Sequence, residues 1–293
     1  MWQLLQIELL KIFRKPRTYI SFGAIAIMVI IIQIALKSDG RSYIEFIVGG
    51  LKDSLDIPYA HILNGYFVCF IILNLLLIHI PLLIALVAGD SIAGEANMGT
   101  LRLLASKPVS RTGLMLAKFM ATVIYTALLL IWLAFISLLL SILIFGTNDI
   151  LIARNDALEI IRSNDVMWRY LAAFAFATLA LTTVAALAFL LSVFADNSIG
   201  PIVSTISIVI VFTILSEMQI PLYDRTVKPF LFTSHMLAWK GFFYSRIDAG
   251  GSAIPGTIEN IRAIGKSGLI LVLYIAGFVS TAIFVFNRKD ILS

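Results

Sequence analysis

The chain has 293 residues, of which 60% are hydrophobic and only 13% charged, with a net charge of +5. A soluble domain carries about 25% charged residues, so this balance, with a mean hydropathy of +0.99, places the chain in a lipid bilayer and excludes a soluble enzyme or binding module. Cys69 is the only cysteine and lies in an apolar run, so no disulfide framework forms within the chain.

Residues 1–16 come first. At 100° per residue Trp2, Leu5, Leu9, Ile12 and Phe13 share one side, and Glu8, Lys11, Arg14 and Lys15 lie opposite. This predicts an amphipathic helix in the membrane interface, broken from the first apolar run by Pro16. That run ends at Lys37-Ser38-Asp39 without a small-residue cleavage site, so it reads as a retained first span. About 20 apolar residues are needed to cross the hydrocarbon as a helix. Six segments meet that need: residues 19–36, 62–89, 114–145, 170–194, 199–217 and 269–286. Their apolar runs are continuous rather than alternating, so helices are expected and not a barrel. The predicted fold is an all-α integral membrane protein with six transmembrane helices, the N-terminal interface helix, and short outer helices between spans 5 and 6.

Spans 4 and 5 are joined only by Ala195-Asp196-Asn197-Ser198, a tight polar turn that makes them an antiparallel hairpin. With the N-terminus cytoplasmic, basic residues are denser on the inside segments, and the net +5 resides entirely in them. Both termini are therefore expected in the cytoplasm. The outer segment 218–268 contains an apolar stretch interrupted by His235 and Lys240; Trp239 and Tyr244 are expected there at headgroup level.

No phosphate-binding G-x-x-x-x-G-K-[ST] loop and no H-E-x-x-H occurs, so neither ATP binding of that kind nor that zinc chemistry is expected in this chain. The spans offer Gln33, Asn74 and His79 as polar groups. Such residues mark a pathway or bond between helices. For His79, two residues before Pro81, the bland reading is that the ring satisfies a carbonyl freed by the proline or packs between helices. The spans hold no carboxylate pair, which weighs against a proton-driven carrier.

The polar segment 90–113 is the most informative stretch. Gly99 permits a sharp turn, Thr100 is placed to cap a short helix through Leu101–Ala105, and Pro108 and Ser110 end that helix and start the third span. Leu101, Leu103 and Leu104 would then be free to dock in a partner's groove, flanked by Arg102, Lys107 and Arg111. From the residues alone, an ordinary positive-inside loop is equally compatible.

The pattern Gly94-Glu95, Gly99-Thr100-Leu101, Leu104, Pro108, Ser110-Arg111 and Lys118 resembles the ABC-2 family of transporter permeases, the membrane half of ATP-driven exporters. The ending Phe286-Asn-Arg-Lys-Asp290, the amphipathic start and the six-span layout extend that resemblance over nearly the full length. The modest outer segment is most similar to a subgroup that includes permeases of copper-enzyme maturation systems. The resemblance implies a non-enzymatic permease in a bacterial inner membrane. It implies a second permease chain, identical or different, and a cytoplasmic ABC ATPase subunit that holds the ATP and magnesium. No cofactor or metal is implied in this chain, and nucleic acid is not a partner; membrane lipids are. Glu95, Gly99, Thr100, Leu101, Arg102, Leu104, Pro108, Ser110, Arg111 and Lys118 would couple the permease to the ATPase. Glu95 is expected to pair with Arg102 and Arg111. An ATP-independent channel or secondary carrier, an intramembrane enzyme and a non-transporting anchor for an ATPase are the rival classes.

Overall fold

The computed structural model describes residues 1–48, 62–100, 110–154, 157–218, 226–248 and 253–289. Within them six helices are long and apolar enough to cross a membrane: Pro16–Gly40, Gly65–Asn97, Arg111–Phe145, Ser163–Phe194, Ile199–Glu217 and Ile261–Arg288. The protein is a multi-pass, all-α membrane protein, and these helices are its first to sixth spans. A separate helix, Trp2–Phe13, precedes them. The end of the bundle that carries this helix is termed the N-face, and the opposite end the hairpin face.

The fourth span is the centre of the bundle. Of its apolar window 72% is buried, against 17% for the sixth span. It packs on the second, third, fifth and sixth spans. Its buried face is rich in alanine (Ala173, Ala177, Ala180, Ala185, Ala186 and Ala188), which lets neighbouring backbones approach closely. Four threonine hydroxyls within the spans are satisfied by their own helices: Thr122, Thr126, Thr178 and Thr182 each donate to the carbonyl four residues earlier, at 2.7 to 3.0 Å.

Several helices outrun their expected limits. The second continues past Ala88 as a short helix, Asp90–Asn97, so much of the expected loop 90–113 is helical. The third begins at Arg111, the fourth at Ser163 and the sixth at Ile261. In the extensions of the second, third and fourth spans the charged residues find partners: Asp90, Glu95, Arg111, Asp165 and Arg169 are all bonded. The expected docking helix through 101–105, with Leu101, Arg102, Leu104, Lys107 and Pro108, lies outside the described residues. The third span also contains a π-helical turn, Phe135–Leu140.

The hairpin face holds an element that the periodicity of the chain did not predict. Strands β1 (Ile150–Arg154) and β2 (Ala157–Ile161) pair antiparallel. The short outer helices are present at Lys228–Phe230, Phe232–Met236 and Leu237–Phe243. Trp239 is turned into the protein. It is 2% exposed and packs against Phe70 and Phe243, because an aromatic cluster reaching Tyr170 gives the indole more contact than a lipid surface would. This end is fastened by Arg169, which is fully buried. Its guanidinium donates to Asp165 Oδ2 at 2.7 Å, to Ser245 Oγ at 3.1 Å, and to the carbonyls of Phe242 and Thr257 at 2.7 and 2.9 Å.

Candidate functional site

The N-face holds a cluster of buried charge, Glu8, Asp90, Glu95 and Lys118, and three elements supply it. The first is the helix Trp2–Phe13. Trp2, Ile7 and Leu10 are exposed on it, while Glu8 is buried. Glu8 therefore faces the protein with Lys11 and Lys15 half-buried beside it, while the outward face is mixed: Gln3, Gln6 and Arg14 are exposed there along with Trp2, Ile7 and Leu10. The second element is Asp90–Asn97 at the end of the second span, and the third is the start of the third span.

Lys118 sits two turns into the third span with its side chain only 1% exposed. Its ammonium donates to Glu8 Oε2 at 2.9 Å and to the Ser91 carbonyl at 3.2 Å, and it pairs with Glu95 Oε1 at 2.7 Å. All three N–H donors of a lysine are thereby used. Lys11 closes the ring, bonding Glu8 Oε1 at 2.7 Å and Glu95 Oε1 at 2.8 Å. Two carboxylates and two ammonium groups alternate, and each acid touches both bases. The other oxygen of Glu95, Oε2, is buried without a partner.

A second knot lies beside it. Asp90 Oδ2 pairs with Lys15 at 2.7 Å and with Arg17, and Oδ1 accepts from the Ser198 hydroxyl in the turn between the fourth and fifth spans. Gly94 makes room for this: a β-carbon there would collide with the Asp90 carboxylate. Between the two knots the helix restarts at Asp90, leaving N–H groups without intrahelical acceptors. Ser192 of the fourth span accepts from Ile92 N at 3.2 Å and Ala93 N at 2.9 Å, and donates to the Gly89 carbonyl at 2.7 Å. One hydroxyl thus caps a break in another span.

Outside the membrane-spanning segments, two lysines respond in opposite ways. Burial pulls Lys15 down to about 8, and the neighbouring charge of Arg17 adds to the effect. The single charge of Asp90 is shared between them. Burial also opposes the charged form of Lys11, but its bonds to Glu8 and Glu95 outweigh that and raise it.

Residues 21–292 match the family described as a protein of unknown function, DUF2705. The chain belongs to that family. No curated protein matches it. The matched stretch of this DUF2705 chain includes Asp90, Glu95 and Lys118, whereas Glu8, Lys11, Lys15 and Arg17 precede it.

The network rearranges the expected partnerships. Glu95 pairs with Lys11 and Lys118 and makes no bond to Arg111. Arg111 instead donates to the carbonyls of Asn287 and Lys289 at 3.2 and 3.0 Å, satisfying acceptors left open at the end of the sixth span. Arg102 lies outside the described residues. Gly99 has φ 69°, the left-handed turn that favours glycine. Thr100 donates to the Glu95 carbonyl at 3.2 Å, and Ser110 caps the third span by accepting from Gly113 N at 3.1 Å.

The polar residues within the spans separate. Gln33 donates to Ser141 Oγ of the third span at 3.0 Å, an interhelical bond. Asn74 donates to Phe70 O of its own helix at 2.9 Å. His79 Nδ1 bonds Leu75 O at 2.7 Å, not the Leu77 carbonyl that Pro81 leaves without its helical donor. Sequence reasoning missed Glu8, Lys11, Lys15, Arg17, Asp90, Ser192 and Ser198. Glu8, Lys11 and Lys15 did stand out as a stripe, but a polar stripe on a terminal helix reads first as a solvated face. Among the described residues no group of acids, histidines and cysteines is placed to hold a metal.

Proposed function

We propose that this chain is the membrane-spanning permease subunit of an ATP-driven exporter, coupling ATP hydrolysis on a separate ATPase chain to movement of a substrate across the bilayer. The observation that carries this reading is the alternating ring Glu8–Lys118–Glu95–Lys11, which joins the N-terminal helix to the ends of the two spans that flank the 98–110 connection. A force applied at that connection would reach three elements at once.

On this reading the N-face is cytoplasmic and the membrane is a bacterial inner membrane. A second permease copy or paralogue completes the path, and the chain itself performs no chemistry. ATP-driven closure of the ATPases would move the connection and the N-terminal helix as one lever. The Asp90–Ser198 contact would pass that motion to the hairpin of the fourth and fifth spans.

The test is a mild-detergent pull-down of the chain from its native cells, with mass spectrometry of what accompanies it. A soluble protein bearing a Walker A loop, lost when residues 99–111 are replaced by a neutral linker, is the expected result. A preparation free of any ATPase, from membranes where one is expressed, would overturn the exporter reading and favour a channel or carrier. Recovery of the ATPase with no ATP-dependent flux in reconstituted vesicles would leave only an anchor.

A further inference from the structure

A cavity opens at the hairpin face between the second, fourth and fifth spans, under the short outer helices. Its walls are largely apolar, with Pro81, Ala177, Ala180 and Trp239 among them and Asn74, Thr213 and Thr233 as neutral polar groups, and it encloses about 60 Å³, room for part of a ligand only. Alanines on the fourth span leave the room that larger side chains would fill. Only two charged groups line it, Glu217 at the end of the fifth span and Lys240 on the outer helix. Their charges are opposite, yet among the described residues no ion pair joins them or engages either one. Lys240 is half-buried beside the apolar wall, and Glu217 is exposed at its mouth.

The cavity continues. Ile78, Pro81 and Val209 border both it and a second groove of about 270 Å³ between the first, second and fifth spans. An apolar void of roughly 150 Å³ already admits a benzene ring, so the second groove has room for a stretch of hydrocarbon. From Glu217 to Val209 the helix descends about 12 Å at 1.5 Å per residue. The arrangement is therefore a pair of opposite charges at the rim above a track, apolar but for His79, that runs down the second and fifth spans.

We propose that this cavity binds a zwitterionic amphiphile: an anionic phosphate-type group at Lys240, an ammonium group at Glu217, and a hydrocarbon chain along Pro81 and Val209. The inference stands apart from the exporter reading, since it needs no ATPase. A phospholipid resident in the leaflet and a lipid-like cargo share this chemistry.

Trp239 lines the cavity and reports on it. Of the 4 tryptophans, Trp2, Trp132 and Trp168 are replaced by Phe, leaving Trp239 to be quenched by chain-brominated probes in maltoside micelles. Three probes are compared: a lysophosphoethanolamine, an alkyl phosphate and an alkyltrimethylammonium. The expected result is saturation by the zwitterion at a mole fraction about fivefold lower than either singly charged probe. Glu217→Gln and Lys240→Gln should each remove that preference, and Ala180→Phe should abolish quenching. Native mass spectrometry of the unsubstituted chain with the same probes gives the ordering independently of the tryptophan replacements. Equal binding of all three probes, or a preference that survives in both charge variants, would overturn the proposal. Extraction of the purified protein separates the sources: a stoichiometric zwitterionic lipid marks a resident, and an empty site that fills on addition marks a transient ligand.

Discussion

Replacing Lys118 with methionine removes the one fully enclosed cation of the N-face ring. Its side chain is 1% exposed and the carboxylates it serves, Glu8 and Glu95, are 8% exposed. After the change two buried acids share only Lys11, whose side chain is 35% exposed. Breaking a buried pair by removing one partner costs about 3–5 kcal/mol, because a charge is left uncompensated. The cheapest relief is to release the helix Trp2–Phe13, which carries Glu8 into water. At 1.4 kcal/mol per decade, amide hydrogen exchange over that helix should accelerate by about a hundredfold to a few thousandfold, while the core of the fourth span changes little. The companion variant Glu8→Gln/Lys118→Met leaves one acid facing one base. It should recover most of the lost protection, even though it carries one more substitution. Exchange over Trp2–Phe13 within about threefold of the parent in Lys118→Met, or equal acceleration in the single and double variants, would refute the argument that charge compensation docks the helix.

Three other outcomes are expected from the same geometry. In a ¹³C-lysine NMR titration Lys15 should lose its proton with a midpoint near 8, while Lys11 remains charged beyond its ordinary 10.5; a Lys15 resonance titrating at 10.5 would contradict this. The signs oppose. The unfolded chain binds the Lys15 proton more tightly, so between about pH 8 and 10.5 this residue adds stability as pH rises, whereas the contribution of Lys11 is present below 10.5 and lost as pH climbs through its raised value. Ser192→Ala should cost about 1–3 kcal/mol by orphaning the N–H groups of Ile92 and Ala93, read as a lower thermal midpoint in detergent, with Ser192→Thr retaining more of the stability than Ala. Arg169→Met should cost about 3–5 kcal/mol at the hairpin face, since Asp165 stays behind without its cation, and limited proteolysis should then cut between residues 245 and 260 sooner than in the parent.

The spans were legible because bilayer thickness imposes a length on apolar runs, and the tight turn at residues 195–198 was legible because nothing longer separates two of them. Their ends were not. Asp90 read as a loop residue because a carboxylate near a membrane boundary is normally solvated, and Glu95 was expected to pair with the arginines nearest in sequence; only three-dimensional proximity brings Lys15 and Arg17 to the one and Lys11 and Lys118 to the other. The β1–β2 hairpin did leave a signal: Ile150-Leu-Ile-Ala and Ala-Leu-Glu-Ile-Ile161 flank Asn155-Asp156, β-formers on either side of turn residues. In a chain so apolar, that local pattern is masked by the far stronger signal of the spans. The burial of Trp239 was illegible for a related reason. An aromatic residue beside a lysine in a membrane protein suggests the headgroup layer, and nothing local reveals that Phe70 and Phe243 fold over it.

The choice of ions for the N-face contact bears on what the contact is for. Buried ion pairs stabilise poorly compared with well-packed apolar side chains, because both charges are desolvated first. A helix held only for stability would do better with leucines at positions 8 and 11. The helix as docked already half-buries Leu5, Leu9, Ile12 and Phe13 beside the charges. Charges instead fix one register: Glu8 reaches Lys118 and Lys11 reaches Glu95 together only at a single rotation of the helix. They also confer reversibility, since each partner can be solvated once it leaves the ring, whereas an apolar face peeled from the protein would be left in the polar interface. On the exporter reading, that combination suits a lever better than a fixed strut. It locates the moving joint at the ring and at Asp90.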